Sequence, residues 1–429
     1  MANQSPWLHQ LNRTRPIASI SKDYEADVAI VGGGIAGIST AYYILKNTNK
    51  KVVLAEANKI AHGATGHNGG FLASYFERTF KSMVEEFGIS KAAAGQQAMD
   101  YSWNLLEEMH REANLQTPIW QFTGYTACAS LEEALVYLED GLLKQQAGIS
   151  RPKLLLAEEV TAKNKIPEKY ASLYTTTPHQ KILSLLETED AEYVAILPER
   201  KGCLNSAVFC EELIHYLLEK YENRFTLTED TPIRSLVLKE SYAILDITKN
   251  TQIIAKEVVL CTNGFEKISI VNTAGRDINK KFHYLVRGIV GYMAGYTEEQ
   301  TREPAEISYL PKKSVHGTDI YTEEPYFYLT RRPFDTTNQN SETLICVGGP
   351  EALMDDTNNY QEEHPFPEEA KTKIDNFLRY TYKHGPSDKI SYKFLWHGLM
   401  GFTPNSIRLI GPEPNNPILY YNLGCHGVG

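Results

Sequence analysis

The sequence predicts an α/β fold, with one domain on a parallel sheet and a second on a mixed β-sheet. Three observations lead there. Asp27–Glu56 reads as a buried strand, a glycine turn, a helix and a second strand. Helical and strand-like patterns then interleave along the chain, which suggests a parallel sheet plus a mixed-sheet region. The 429 residues, at roughly 100–200 per domain, predict two or three domains, and 42 % hydrophobic residues suffice for a sizeable core.

In chain order, the apolar run from Asp27 ends in a triple glycine, Ile35–Asn49 follows with helical periodicity, and Lys51–Glu56 is the next strand. Helical patterns recur near Ser82–Ala113, Leu131–Ala147, Ala207–Asn223 and Pro367–Tyr382. Strand-like runs include Gly124–Ala129, Ala191–Leu197, Glu257–Cys261, Tyr326–Thr330 and Leu344–Gly348. Nucleotide-type signals concentrate near 26–75, 202–265 and 395–429, which predicts a discontinuous cofactor domain (1–80, 200–275 and 393–429). The stretches 81–199 and 276–392 are then the second domain.

The balance of 43 basic and 53 acidic residues gives −10, which argues against a nucleic-acid partner. No apolar run approaches the ~20 residues that span a bilayer, so no transmembrane segment is expected. The N-terminal stretch lacks the apolar core of a signal peptide. Six scattered cysteines include no CxxC, which argues against a disulfide framework or a metal site. A reducing cytoplasm is the simplest setting.

The chemistry-bearing signal is Gly32-Gly33-Gly34-Ile35-Ala36-Gly37. Gly32 permits the tight turn from strand to helix, Gly34 lets backbone approach a pyrophosphate, and Gly37 lets helix and strand pack closely. The N–H groups at Ile35 and Ala36 open the helix and face the phosphates with its positive dipole end. Glu56 ends the next strand about 20 residues on, where a carboxylate binds ribose hydroxyls. This spacing does not separate FAD from NAD. The small-residue run Ala61–Phe71 follows, and it leaves backbone amides free for a flat ligand.

With this run, the chain resembles the FAD-dependent D-amino acid oxidase/glycine oxidase superfamily, most of all its gamma-glutamylputrescine oxidase-like branch. The family's GASGRNGG motif stands as Gly63-Ala64-Thr65-Gly66-His67-Asn68-Gly69-Gly70. The later turn is Leu260-Cys261-Thr262-Asn263-Gly264-Phe265, and the Arg-Gly strand is Val286-Arg287-Gly288. The C-terminal signature runs from Trp396-His397-Gly398 to Gly424-Cys425-His426-Gly427. The resemblance implies a Rossmann-like FAD-binding domain and a substrate domain whose mixed sheet roofs the flavin. It implies FAD contacts from Ala64 to Gly70, from Cys261 to Gly264, and at Gly398, Gly424, His426 and Gly427. It also implies oxidation of the C–N bond of an amine or amino acid by hydride transfer, with dioxygen or an electron carrier as acceptor. The cofactor carries the hard chemistry, so no dedicated catalytic base is expected.

Four residues are candidates for the substrate site. Arg331 and Arg332 follow the aromatic strand Tyr326–Thr330, where family members place a carboxylate-binding arginine; the alternative is a solvated surface pair. Tyr328 is a candidate roof residue or core, as is Tyr326, and Arg287 is a candidate active-site residue or a structural ion pair. His67 stands where the motif has arginine, which suggests contact with the flavin or, as in distant relatives, covalent attachment. Acid denaturation separates the two, since attached flavin stays with the polypeptide. Cys346 occupies the place of an oxygen-activating lysine found in some oxidases, so oxidase and dehydrogenase both stay open. His397 reads as a satisfied structural histidine. In the family a helix follows the last glycine loop, which suggests that the sequence to Gly429 is a fragment; the mass of the native product tests this.

Overall fold

Tyr24–Val31 is the strand on which the first sheet is organised. Its four last residues are buried because both faces are covered. Val28 and Ile30 pack towards the helices Ile35–Asn47 and Ser206–Lys220, while Ala29 and Val31 pack on the opposite face with Leu245, Leu260 and Leu419. This alternation is the two-residue period of a strand buried on both sides.

The computed structural model describes all residues except 1–2, 18, 249–250, 266–267, 279–285, 300–301, 312–325, 335–341, 355–356, 383–389 and 428–429. Among the described residues the first sheet has nine strands. Tyr24–Val31 pairs in parallel with Val52–Ala55 on one side and Thr251–Leu260 on the other, and Phe225–Thr228 extends the parallel set. The end of Thr251–Leu260 also pairs in parallel with Asn416–Leu423, which brings the C-terminal glycine run beside the first glycine turn. Ala243–Thr248 and Ser235–Leu238 are antiparallel additions.

The second sheet has ten strands among the described residues and is mixed, as expected. Its order begins Phe394–Phe402, Arg287–Glu298, Thr343–Met354, Phe327–Pro333, Ala305–Tyr309, Trp120–Cys128, Ala195–Cys203. The short strand Phe71–Leu72 joins it directly after the glycine run.

Several sequence expectations shift. The helical stretch Ser82–Ala113 is two helices, Phe80–Phe87 and Ile89–Glu112, because Gly88 between them adopts φ +79°, outside helical space. The strand expected at Ala191–Leu197 is Ala195–Cys203, held there by its register with Trp120–Cys128. Phe394–Phe402, grouped by sequence with the cofactor segments, pairs instead with Arg287–Glu298 in the second sheet.

Candidate functional site

The glycine turn sits where three parallel strands end together. Gly32 has φ +108°, and a Cβ there would lie 2.6 Å from the Cys261 main-chain oxygen. A Cβ at Gly37 would overlap the Gly32 carbonyl oxygen. Helix Ile35–Asn47 starts at Gly34 with no side-chain cap and no acidic residue in its first turn. Such an end leaves N–H groups and a positive dipole for an anion. Thr65 Oγ1 accepts from the Ile35 N–H at 3.0 Å and ties the second glycine run to this helix. Glu56 accepts from the N–H of Gly33 at 2.6 Å and of Asn58 at 2.8 Å, which fixes its carboxylate beside the turn. Burial raises the Glu56 pKa, against the lowering effect of these bonds.

The run Ala64–Gly70 is held by Asn68. Its Nδ2 donates to the carbonyl oxygen of Thr65 at 2.6 Å and to Ser206 Oγ at 3.0 Å, and its Oδ1 accepts from the Gly70 N–H at 2.7 Å. The Asn68 carbonyl oxygen accepts from Trp7 Nε1 at 2.6 Å and from Trp396 Nε1 at 3.3 Å. Ser5 Oγ donates to the Gly66 carbonyl. The N-terminal segment therefore straps the run from outside, anchored further along by Arg13 and Arg15 on the buried carboxylates of Glu211 and Glu229.

A cavity of about 720 Å³ opens between this run and the second sheet. Ile35, Ala64, Thr65, His67, Asn68, Gly69 and Gly70 line one side, and Gly398, His426 and Gly427 approach from the C-terminal segments. Tyr326, Tyr328 and Glu351 belong to the opposite strands, and Glu77 and Arg408 complete the polar lining. The volume falls in the range of small-molecule and cofactor sites.

Two histidines in this lining are held neutral. His67 Nδ1 lies 3.1 Å from the Gly63 carbonyl oxygen, so Nδ1 carries the proton, and burial lowers the ring's pKa. His426 has its pKa pushed down to about 4, first by burial and then by the charge of Arg408. Its Nε2 lies 3.3 Å from Thr403 Oγ1, while its buried Nδ1 has no partner among the described residues.

The predicted residues thus divide. Gly32, Gly34, Ala36, Gly37, Glu56, Gly66 and Gly424 shape the turns around the cavity without lining it. Cys261, Thr262, Asn263 and Gly264 do not line it either: the turn packs on Gly32, and Asn263 Oδ1 accepts from the Cys425 N–H at 3.0 Å.

The arginines require correction. Arg331 alternates to the face of its strand opposite Tyr328, where Nη1 meets Glu187 at 2.8 Å and Nε donates to the Glu303 carbonyl oxygen at 2.8 Å. Arg332 shares the Tyr328 face but lies four residues on, roughly 13 Å along the strand. Its guanidinium is buried over the Trp7 ring at 4.1 Å, and burial pushes its pKa down to about 10. Arg287 is exposed at the start of its strand. None of the three lines the cavity. Arg408, Glu77 and Glu351 do, and sequence reading missed them because each is an isolated charge outside any motif. His397 is the satisfied histidine expected, with Nδ1 3.1 Å from the Tyr360 hydroxyl and Nε2 3.0 Å from the His364 carbonyl oxygen.

Comparison with known proteins accords with this architecture. The FAD dependent oxidoreductase family profile matches residues 27–429, and the chain belongs to that family. Among curated relatives, the putative Rieske 2Fe-2S iron-sulfur protein YhfW of Bacillus subtilis is 35% identical over 94 residues, 21% of this chain and 18% of that protein. Gamma-glutamylputrescine oxidoreductase of Escherichia coli is 33% identical over 81 residues, 19% of each chain. The matched segments span about a fifth of the length of these relatives. The fold is that of glycine oxidase from Geobacillus kaustophilus, with a TM-score of 0.64 at 14% identity over 94% of this chain and 89% of that one. The family's cofactor is FAD, and the glycine turn and the uncapped helix fit it.

Proposed function

We propose that this member of the family oxidises the C–N bond of a small amine or amino acid, with FAD as the hydride acceptor. The observation that supports it is the single cavity bounded by the glycine-rich cradle on one side and by Tyr326, Tyr328 and Glu351 on the other. FAD, when bound, would supply the chemistry as acceptor of the hydride on the carbon next to nitrogen. In this reading the turn from Gly32 to Gly37 receives the pyrophosphate, Glu56 the ribose, and Asn68–Gly70, His67 and His426 the flavin end. The roof tyrosines exclude water above the reacting carbon. The first sheet is the cofactor domain and the second the substrate domain. The six free cysteines fit a reducing cytoplasm, and among the described residues no helix is long and apolar enough to cross a membrane.

Anaerobic mixing of the FAD-loaded protein with a panel of amines and amino acids tests the proposal. Bleaching of the flavin is expected with at least one of them. Binding without bleaching across the panel overturns it in favour of a flavoprotein with a non-amine substrate or without turnover. Cys346, fully buried in the strand Thr343–Met354 with its thiol pushed up to about 12, offers no charge to dioxygen. That favours an electron carrier as acceptor, and dye reduction measured against oxygen consumption distinguishes the two.

A further inference from the structure

Glu77 and Glu351 come from distant parts of the chain and line the same cavity. Glu77 lies between Phe71–Leu72 and the helix Phe80–Phe87; Glu351 lies on Thr343–Met354, paired with Gly291. Among the described residues neither carboxylate has a hydrogen-bond or ion-pair partner. Glu77 is half-buried and Glu351 is exposed, and the charge of Glu351 opposes ionisation of Glu77. Two carboxylates that line one cavity without a donor repel each other and favour a proton or a cation between them.

The neighbouring cations do not fill this role. Lys201 stands behind Glu77, but its Nζ is shared by Glu306 at 3.3 Å and Glu199 at 3.7 Å. Lys373 is paired with Glu369 at 2.8 Å. Arg408 acts on Glu77 from the cavity wall, one guanidinium against two carboxylates. An independent feature is aromatic. Tyr326 and Tyr328 line the cavity with ring centroids 6.0 Å apart, and both feel the charges of Glu77 and Glu351. Carboxylates set beside aromatic faces are the combination that recognises an ammonium group. The arginines expected to hold a substrate carboxylate are turned elsewhere.

We infer that Glu77 and Glu351, walled by Tyr326 and Tyr328, form a cation subsite that draws in the substrate's ammonium group, takes up the proton its nitrogen must shed before the neighbouring carbon can give a hydride, and selects a cationic alkylamine over an amino acid bound through its carboxylate. The inference rests on reading the cavity as the substrate site.

The test uses the FAD-loaded protein and two probes that share a tert-butyl group, tert-butylammonium and pivalate. The first has no hydrogen on the carbon next to nitrogen and cannot be oxidised, so binding is read apart from turnover. Binding is followed by calorimetry and by perturbation of the flavin spectrum. The cation is expected to bind and pivalate not to compete. Glu77→Gln and Glu351→Gln, with FAD content and melting temperature as controls, should each weaken cation binding at least tenfold. Pivalate binding more tightly than the cation overturns the inference without recourse to any variant. Folded, FAD-loaded variants that bind the cation like the parent overturn it too. Oxidation of n-butylamine separates the two proposals. If the cation binds through these carboxylates but no amine or amino acid bleaches the flavin, the subsite stands and the oxidoreductase reading falls. If amines bleach the flavin with unchanged KM in both variants, the reading stands and the subsite falls.

Discussion

Trp7 Nε1 donates to the main-chain oxygen of Asn68 at 2.6 Å, and the same indole covers Gly70, where any Cβ would overlap its ring. An N-terminal tryptophan thus fixes the backbone of the cradle across which the cofactor lies. Trp7 also carries the Arg332 guanidinium on one face and meets Trp396 edge-on at 6.4 Å.

Trp7→Ala should cost about 3–5 kcal/mol of stability and leave the Arg332 charge without its aromatic cover. Loss of the strap frees residues 64–70, so FAD affinity should fall at least tenfold. FAD retained through gel filtration, set beside the melting temperature, checks both. Retention at the parental level would show that the cradle holds its shape without the strap.

Gly37→Ala should abolish FAD binding, because the added carbon overlaps the Gly32 carbonyl oxygen and the helix must retreat from the strand. Gly63→Ala is the control, since a Cβ there meets nothing within 4 Å. Flavin absorbance of the two purified proteins decides it; equal loading would remove the close-approach argument.

Arg331→Ala should destabilise the fold by roughly 1–3 kcal/mol, because Glu187 keeps Arg302 and the Tyr382 hydroxyl but loses its most buried cation. Its KM for any substrate that turns over should change less than threefold. Chemical denaturation and steady-state kinetics measure the two effects. A tenfold rise in KM with parental stability would return Arg331 to the substrate.

The two cavity carboxylates set a pH dependence. The Glu351 pKa is raised to about 7 by burial, and the Glu77 pKa to about 8 by burial and by Glu351, against the lowering effects of Lys201 and Arg408. Tyr75, Tyr326 and Tyr328 face the pair with pKa values shifted upwards, and His426 is neutral above about 4, so these stay uncharged. Affinity for tert-butylammonium should therefore rise between pH 6 and pH 9. Stability moves the other way. A carboxyl raised in the folded state contributes stability present below its unfolded pKa, near 4.5, and lost as pH rises through its folded value. The unliganded protein should lose melting temperature from pH 6 to pH 9, and Glu351→Gln should lose less. A flat binding profile would mean that these groups do not meet the ligand.

What could be read in the sequence was local. Gly32, Gly34 and Gly37 are legible because a turn and a close approach are decided by neighbours in the chain. The run from Ala64 to Gly70 is legible for the same reason. The break at Gly88 was lost because apolar periodicity continues on both sides of it, and only the backbone angle interrupts the helix. Arg331 was misread because one step along a strand reverses the face of a side chain. Glu77 and Glu351 carry no local signal at all. Their meeting depends on the register that sets Glu351 opposite Gly291, a relationship between residues sixty positions apart in sequence.

The strap has a consequence for biosynthesis. Segment 3–10 leaves the ribosome well before its partners, which include Asn68, Phe334, Trp396 and His397, reached through Trp7, Gln10 and Asn3. The flavin cradle therefore cannot close before Trp396 has been made. Residues 3–10 must wait, tethered and unmatched, until the strand Phe394–Phe402 has emerged, and cofactor capture follows that step. Nascent chains stalled before Trp396 should acquire neither the protected cradle nor the pigment, however well their first strands have formed.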